Sequence, residues 1–142
     1  MVNSGSSANL LALAALKKAE GWCDGDEVIT PALTWATTVF PIAQLGLVPV
    51  LVDVELDSFN LNLAKARDAV TPATRAVMPV HLLGRPCDSM GLLCEAFGRK
   101  GISVIEDACE AHGAEYASIK VGGWGIIGTF SFFFSHHIST IE

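Results

Sequence analysis

Short runs of branched apolar residues alternate along the chain with longer segments whose apolar positions recur every three to four residues. That alternation predicts repeated βα units, an α/β three-layer sandwich around a mostly parallel sheet. A first helix is expected to begin near Ser6 and Ser7, whose hydroxyls can cap it, and to run through Leu10, Leu11, Leu13, Ala14 and Leu16 to Lys17 and Lys18. After an Asp24-Gly25-Asp26 turn, the pattern predicts a strand over 27–30, a helix over 34–45, a strand over 48–54 and a helix over 63–70. A strand over 76–80 ends at His81, and Gly84-Arg85-Pro86 turns the chain into a helix near 89–100. An apolar strand over 102–106 then delivers Asp107, and a hairpin around Gly122-Gly123 precedes a last segment over 129–134. Residues 1–3 read as the last residues of a strand.

In open α/β sheets ligands gather at the carboxyl ends of the strands. Here those ends carry Trp35, Asp53, His81, Asp107 and the tail after Phe134.

Composition narrows the function. The 142 residues are 51% hydrophobic and 17% charged, with a mean hydropathy of +0.44, so the chain is one domain at most and too apolar for disorder. Nine Lys and Arg stand against 15 Asp and Glu, a net charge of -6 with no basic stripe, which argues against nucleic-acid binding. The charge-free stretch from Val28 to Val52 is long enough to span a bilayer, but three prolines, a glutamine and four threonines mark it as buried core. With no signal-peptide pattern and no lipidation motif, the expected location is the cytoplasm. Cys23, Cys87, Cys94 and Cys109 lack zinc or redox spacing and read as buried or incidental thiols, so no metal is expected.

Four constellations carry chemistry. Asn3-Ser4-Gly5-Ser6-Ser7-Ala8-Asn9 is a small-residue turn opening a helix, either an ordinary cap or a phosphate cradle of backbone N–H groups and hydroxyls. The strand ending Ile105-Glu106-Asp107-Ala108-Cys109-Glu110 presents Asp107, which could pair with a protonated pyridine nitrogen; Glu106 reads as a solvated turn acid or a helix cap. Thr129 to Thr140 is an aromatic run ending in two adjacent histidines flanked by hydroxyls, either satisfied or exposed histidines after a buried strand or, since imidazole suits proton transfer near neutral pH, a catalytic base. Trp35 either stacks on a planar ring or is a core residue, and His81 and Arg85 serve a site or structure alone.

With these residues in view, nearly the whole chain resembles the large domain of the DegT/DnrJ/EryC1/StrS sugar aminotransferase family, fold type I enzymes of pyridoxal phosphate with the aspartate aminotransferase-like architecture. The resemblance is carried by S-G-S-S-A-N, G-D-E-V-I-T-P, V-P-V-L-V-D-V, I-E-D-A-C-E-A-H-G-A and G-T-F-S-F in collinear order. It implies a partial large domain over 1–142, with an N-terminal segment and a C-terminal small domain missing. In the family a lysine five residues beyond the serine of the S-F pair forms a Schiff base with the cofactor; counted from Ser131, that position here is His136. The ending therefore resembles the branch in which histidine replaces that lysine, the deoxysugar 3-dehydratases.

That resemblance implies 3-dehydration of a nucleotide-linked 4-keto-6-deoxy sugar, with pyridoxal 5'-phosphate cycling as noncovalent pyridoxamine 5'-phosphate and glutamate as amine donor. His136 is the implied base. Gly5, Ser6 and Ser131 look like phosphate contacts, Trp35 like the stacking ring, Asp107 like the pyridine partner and Glu110 like a neighbour of the ring hydroxyl. His137 is treated as a neighbour of the base. A homodimer is implied for the full-length enzyme, as is a role in O-antigen or other cell-surface deoxysugar synthesis. Alternatives are a nucleotide-sugar aminotransferase, a CDP-sugar 3-dehydrase with a downstream iron–sulfur cluster, and a truncated non-catalytic remnant.

Overall fold

The computed structural model describes residues 1–136 and 138. Helices α1 (Gly5–Glu20), α2 (Ala36–Gln44), α3 (Leu63–Asp68) and α4 (Met90–Gly98) alternate with strands β1 (Glu27–Pro31), β2 (Val48–Val52), β3 (Thr74–Val77) and β4 (Ser103–Asp107). A short hairpin of β5 (Glu115–Tyr116) and β6 (Ile119–Lys120) then leads to β7 (Ile127–Thr129). The five longer-range strands form one all-parallel sheet in the order β2-β1-β3-β4-β7. The charge-free stretch is spent on β1, α2 and β2 of this sheet, and no helix among the described residues is long and apolar enough to cross a membrane.

Adjacent residues of each strand point to opposite faces. Val28, Ala76 and Ile105 pack with Ala12, Leu13, Leu16 and Ile42 under α1 and α2. Their neighbours Ile29, Val77 and Val104 pack with Ala66, Met90, Leu93 and Phe97 under α3 and α4. The result is two cores separated by the sheet, the three layers that the alternation predicts. The same parity sends the last two residues of β4 in opposite directions, Glu106 to the α4 side and Asp107 to the α1 side.

Several local expectations are corrected. Helix α1 is capped by Ser4, whose hydroxyl accepts the Ser7 N–H at 3.2 Å, and so starts at Gly5, ahead of Ser6 and Ser7. Residues 1–3 form no strand. The hairpin turns at Ala117 and Ser118, both with φ positive (48° and 65°), before Gly122-Gly123. Two consecutive left-handed residues match the twist of a two-residue hairpin, a geometry the sequence lacked an Asn-Gly pair to announce. Strand β7 stops at Thr129, and 130–134 leave the sheet.

Candidate active site

Four chain segments meet at the carboxyl end of the sheet. Strand β4 supplies Asp107, which is buried, and β7 pairs with it in register, placing Thr129 opposite Asp107 and Ser131 just beyond. Asp107 Oδ2 accepts from Asn9 Nδ2 of α1 at 2.9 Å and from Thr38 Oγ1 of α2 at 2.8 Å, and Oδ1 accepts from the Cys109 N–H at 3.2 Å. Thr129 Oγ1 closes the ring by donating to Asn9 Oδ1 at 2.6 Å.

The amino terminus of α1 stands over the same end. Ser4 satisfies the Ser7 N–H, and helix geometry leaves the N–H groups of Gly5 and Ser6 without an intrahelical acceptor. Gly5 is buried against Ser131 and Cys109: a Cβ there would lie 2.7 Å from Ser131 Cβ and 3.0 Å from Cys109 Sγ. Only glycine permits that approach. Gly5→Ala is expected to cost about 1–3 kcal/mol through overpacking and to displace Ser131, read as a lowered melting temperature. Burial, reinforced by Asp107 beside it, pushes the Cys109 thiol far up, so it stays neutral at the helix terminus.

The structure thus brings Gly5 and Ser131 into contact and joins Asp107 to α1 and α2. Ser6 is exposed on α1, at a groove of about 250 Å³ shared with Thr37 and Phe40 of α2. Trp35 is the residue before α2 and is 72% exposed, so its reading as a core residue falls and its ring is free to cover a ligand. Glu110 Oε2 accepts the N–H of Leu83, at 2.9 Å, in the 3₁₀ turn Leu82–Gly84. Ser131 Oγ accepts the Phe133 N–H, and His136, partly buried, donates its N–H to the Phe133 carbonyl at 2.8 Å and sets its ring on Phe133 at 5.6 Å. His137 and residues 139–142 lie outside the described residues.

Asp53, at the end of β2, is exposed, and Arg85 binds the Asp57 carbonyl and Asp88, so both lie apart from this cluster. The five lysines also lie elsewhere. Lys17, bonded to Asp24 and the Leu45 carbonyl, is twelve residues along α1 from Gly5, about 18 Å at the helical rise. Lys18 shares that last turn, Lys65 sits on α3, Lys100 follows α4, and Lys120 pairs with Glu115 in the hairpin.

Glu106 overturns its expected place at a solvated turn. It is fully buried, with Oε1 accepting from the Trp124 and Gly125 N–H groups at 2.7 and 2.6 Å and Oε2 from the Gly122 N–H at 2.7 Å. His81, also fully buried, lies 3.0 Å from Oε2 through Nε2, while its Nδ1 accepts the Cys87 N–H at 3.0 Å. An Nδ1 that accepts carries no proton, so His81 is the neutral Nε2–H tautomer donating to the carboxylate. Burial pushes the Glu106 carboxyl up, but His81 and the N–H groups of Gly125, Gly122 and Trp124 outweigh it and hold it below its ordinary 4.5. His81 therefore serves structure.

The sequence pattern of the DegT/DnrJ/EryC1/StrS aminotransferase family matches residues 1–142. The chain belongs to this family. It is 46% identical over 144 residues to a GDP-4-keto-6-deoxy-D-mannose 3-dehydratase of Yersinia pseudotuberculosis, covering 100% of this chain and 36% of that protein. The solved structure of the E. coli GDP-4-keto-6-deoxy-D-mannose-3-dehydratase with bound hydrated PLP superposes with a TM-score of 0.91 at 41% identity, covering 99% of this chain and 36% of the other. A GDP-4-keto-6-deoxymannose-3-dehydratase with a trapped PLP-glutamate geminal diamine gives 0.92 at 40% identity, covering 99% and 37%. The chain spans little more than a third of the length of these relatives.

Proposed function

We propose that this chain is the cofactor-binding part of a 3-dehydratase acting on a nucleotide-linked 4-keto-6-deoxy sugar with pyridoxal or pyridoxamine phosphate. The observation that carries the reading is His136 at the position where the family's catalytic lysine stands, with all five lysines of the chain away from the Asp107 cluster. The likeness to dehydratases solved with hydrated PLP and with a PLP-glutamate adduct supports the cofactor, a GDP-type substrate and glutamate as amine donor.

The residues fit the cofactor on the structure's own terms. A glycine whose Cβ would collide with Ser131 opens a cradle at a helix terminus, where backbone N–H groups and the dipole favour a phosphate. A buried carboxylate stands across from it on β4. When bound, the cofactor supplies an amine for the sugar's C4 ketone and a ring that takes up electrons.

The protein's own part follows. Gly5, Ser6 and Ser131 bind the phosphate. Asp107 holds a proton at the ring nitrogen, and Trp35 covers the ring face. Glu110 reaches toward the ring hydroxyl while keeping the turn at Leu83 in place. His136 takes the proton at the reacting carbon and delivers one to the departing C3 hydroxyl. A covalent C=N bond to position 136 cannot form, because imidazole carries no primary amine, so binding rests on these noncovalent contacts. The full-length protein is expected to work as a homodimer.

Incubating the full-length protein with pyridoxal phosphate, reducing with borohydride and measuring intact mass is expected to give no covalent adduct. A stoichiometric adduct on one lysine would overturn the reading.

A further inference from the structure

Two polar residues sit where apolar ones are expected. The buried face of α1 is Asn9, Ala12, Leu13 and Leu16, and that of α2 is Thr38, Pro41 and Ile42. Asn9 is fully buried and Thr38 nearly so. A polar group in such a stripe is costly unless its hydrogen bonds are met, and both send them to the same atom, Asp107 Oδ2.

Resting on the reading of Asp107 as the ring-nitrogen partner, we infer that Asn9 and Thr38 are positioning residues that choose which Asp107 oxygen faces the cofactor. The Asn9 amide is fixed from both ends. Its Nδ2 faces Asp107 Oδ2, an oxygen that only accepts, which leaves its Oδ1 to receive the Thr129 hydroxyl. The same Nδ2 reaches the Thr37 carbonyl at 3.2 Å. That carbonyl is available because Pro41, four residues on, has no N–H to donate to it. Thr38 is fixed likewise. Its single hydroxyl proton goes to a carboxylate oxygen that accepts only, so in the 2.8 Å contact with Thr34 it is Thr34 that donates.

With two donors on Oδ2, the carboxylate cannot rotate freely. Oδ1 is left with the long 3.2 Å contact from Cys109 N–H and a further lone pair to offer. It is the oxygen presented to a ligand N–H. The inserted proline, the asparagine and the threonine chain thus convert a buried acid into a directed acceptor.

The test compares affinities of the full-length protein for pyridoxal phosphate and its 1-deaza analogue, in which a C–H replaces the ring nitrogen. Wild type is expected to prefer the natural cofactor, and Asp107→Ala to abolish that preference. Thr38→Val keeps the side-chain shape but removes the donor; it is expected to lower the preference roughly tenfold without weakening analogue binding, and Thr38→Ser to restore it. Asn9→Ala provides a second, independent loss of a donor should Thr38→Val fail to fold. If the Thr38 and Asn9 variants keep the wild-type preference while Asp107→Ala loses it, or weaken both ligands equally, the positioning role is wrong and the Asp107 reading survives. If Asp107→Ala keeps the preference, Asp107 is not the nitrogen partner and both fall.

Discussion

Glu106→Gln is expected to lower the stability of the protein by about 2–6 kcal/mol, the cost of leaving two buried donors unpaired at about 1–3 kcal/mol each. The reason lies in the four groups that face this carboxylate, all of them donors: the N–H groups of Gly122, Trp124 and Gly125, and Nε2–H of His81. A glutamine can turn only one oxygen to them. Whichever way its amide flips, the NH₂ meets two donors, leaving buried groups unpaired. The loop cannot retreat cheaply, because Gly125 rides so close to β4 that a Cβ there would stand 2.4 Å from the Val104 carbonyl. Urea unfolding of the variant against wild type measures the loss.

The pH dependence is fixed by the same contacts. Folding holds the Glu106 carboxyl below its ordinary 4.5, so the folded state favours the deprotonated form. Its stabilisation is fully present above that value and is lost as the pH falls through the lower folded value. The difference between wild type and Glu106→Gln is therefore expected to shrink below about pH 4.5. A difference unchanged between pH 7 and pH 3 would mean that the charged form is not what the loop holds.

His136→Lys in the full-length protein is expected to abolish most dehydration, a fall of about 10²–10⁴-fold in kcat, the usual contribution of a placed proton-transfer group. A primary amine at 136 should also give what the natural chain cannot: a borohydride-trapped mass increase on that one residue. The two readouts separate the possible roles. Loss of turnover with gain of the adduct identifies position 136 as the point facing the reacting carbon. Dehydration at the wild-type rate would show that the base is another residue.

Much of this was legible in the chain. The alternation of β and α periods is enough to predict the parallel sheet and its helices, because each strand buried on both faces must be apolar while each helix needs only a stripe. Asp107 was legible as the acid at the carboxyl end of an apolar strand. Asn9 had a signal that went unused: it falls in the i, i+3, i+4, i+7 stripe with Ala12, Leu13 and Leu16, where a polar side chain needs a buried partner. Glu106 had one as well, being one step from Asp107 on the same strand and so bound to face the opposite layer.

The sequence by itself determined the main βα alternation, the place of Asp107 at the carboxyl end of its strand and the absence of a lysine at 136, since these follow from local periodicity and from identity at a counted position. Only the tertiary structure decided that Glu106 would close on a glycine loop and His81 while Asp107 joined α1 and α2. The hydrogen bonds from Asn9 and Thr129 to their partners span 98 and 120 residues of chain. Such contacts are set by which faces the sheet brings together, and a carboxylate's partners in three dimensions leave no mark on its neighbours in sequence.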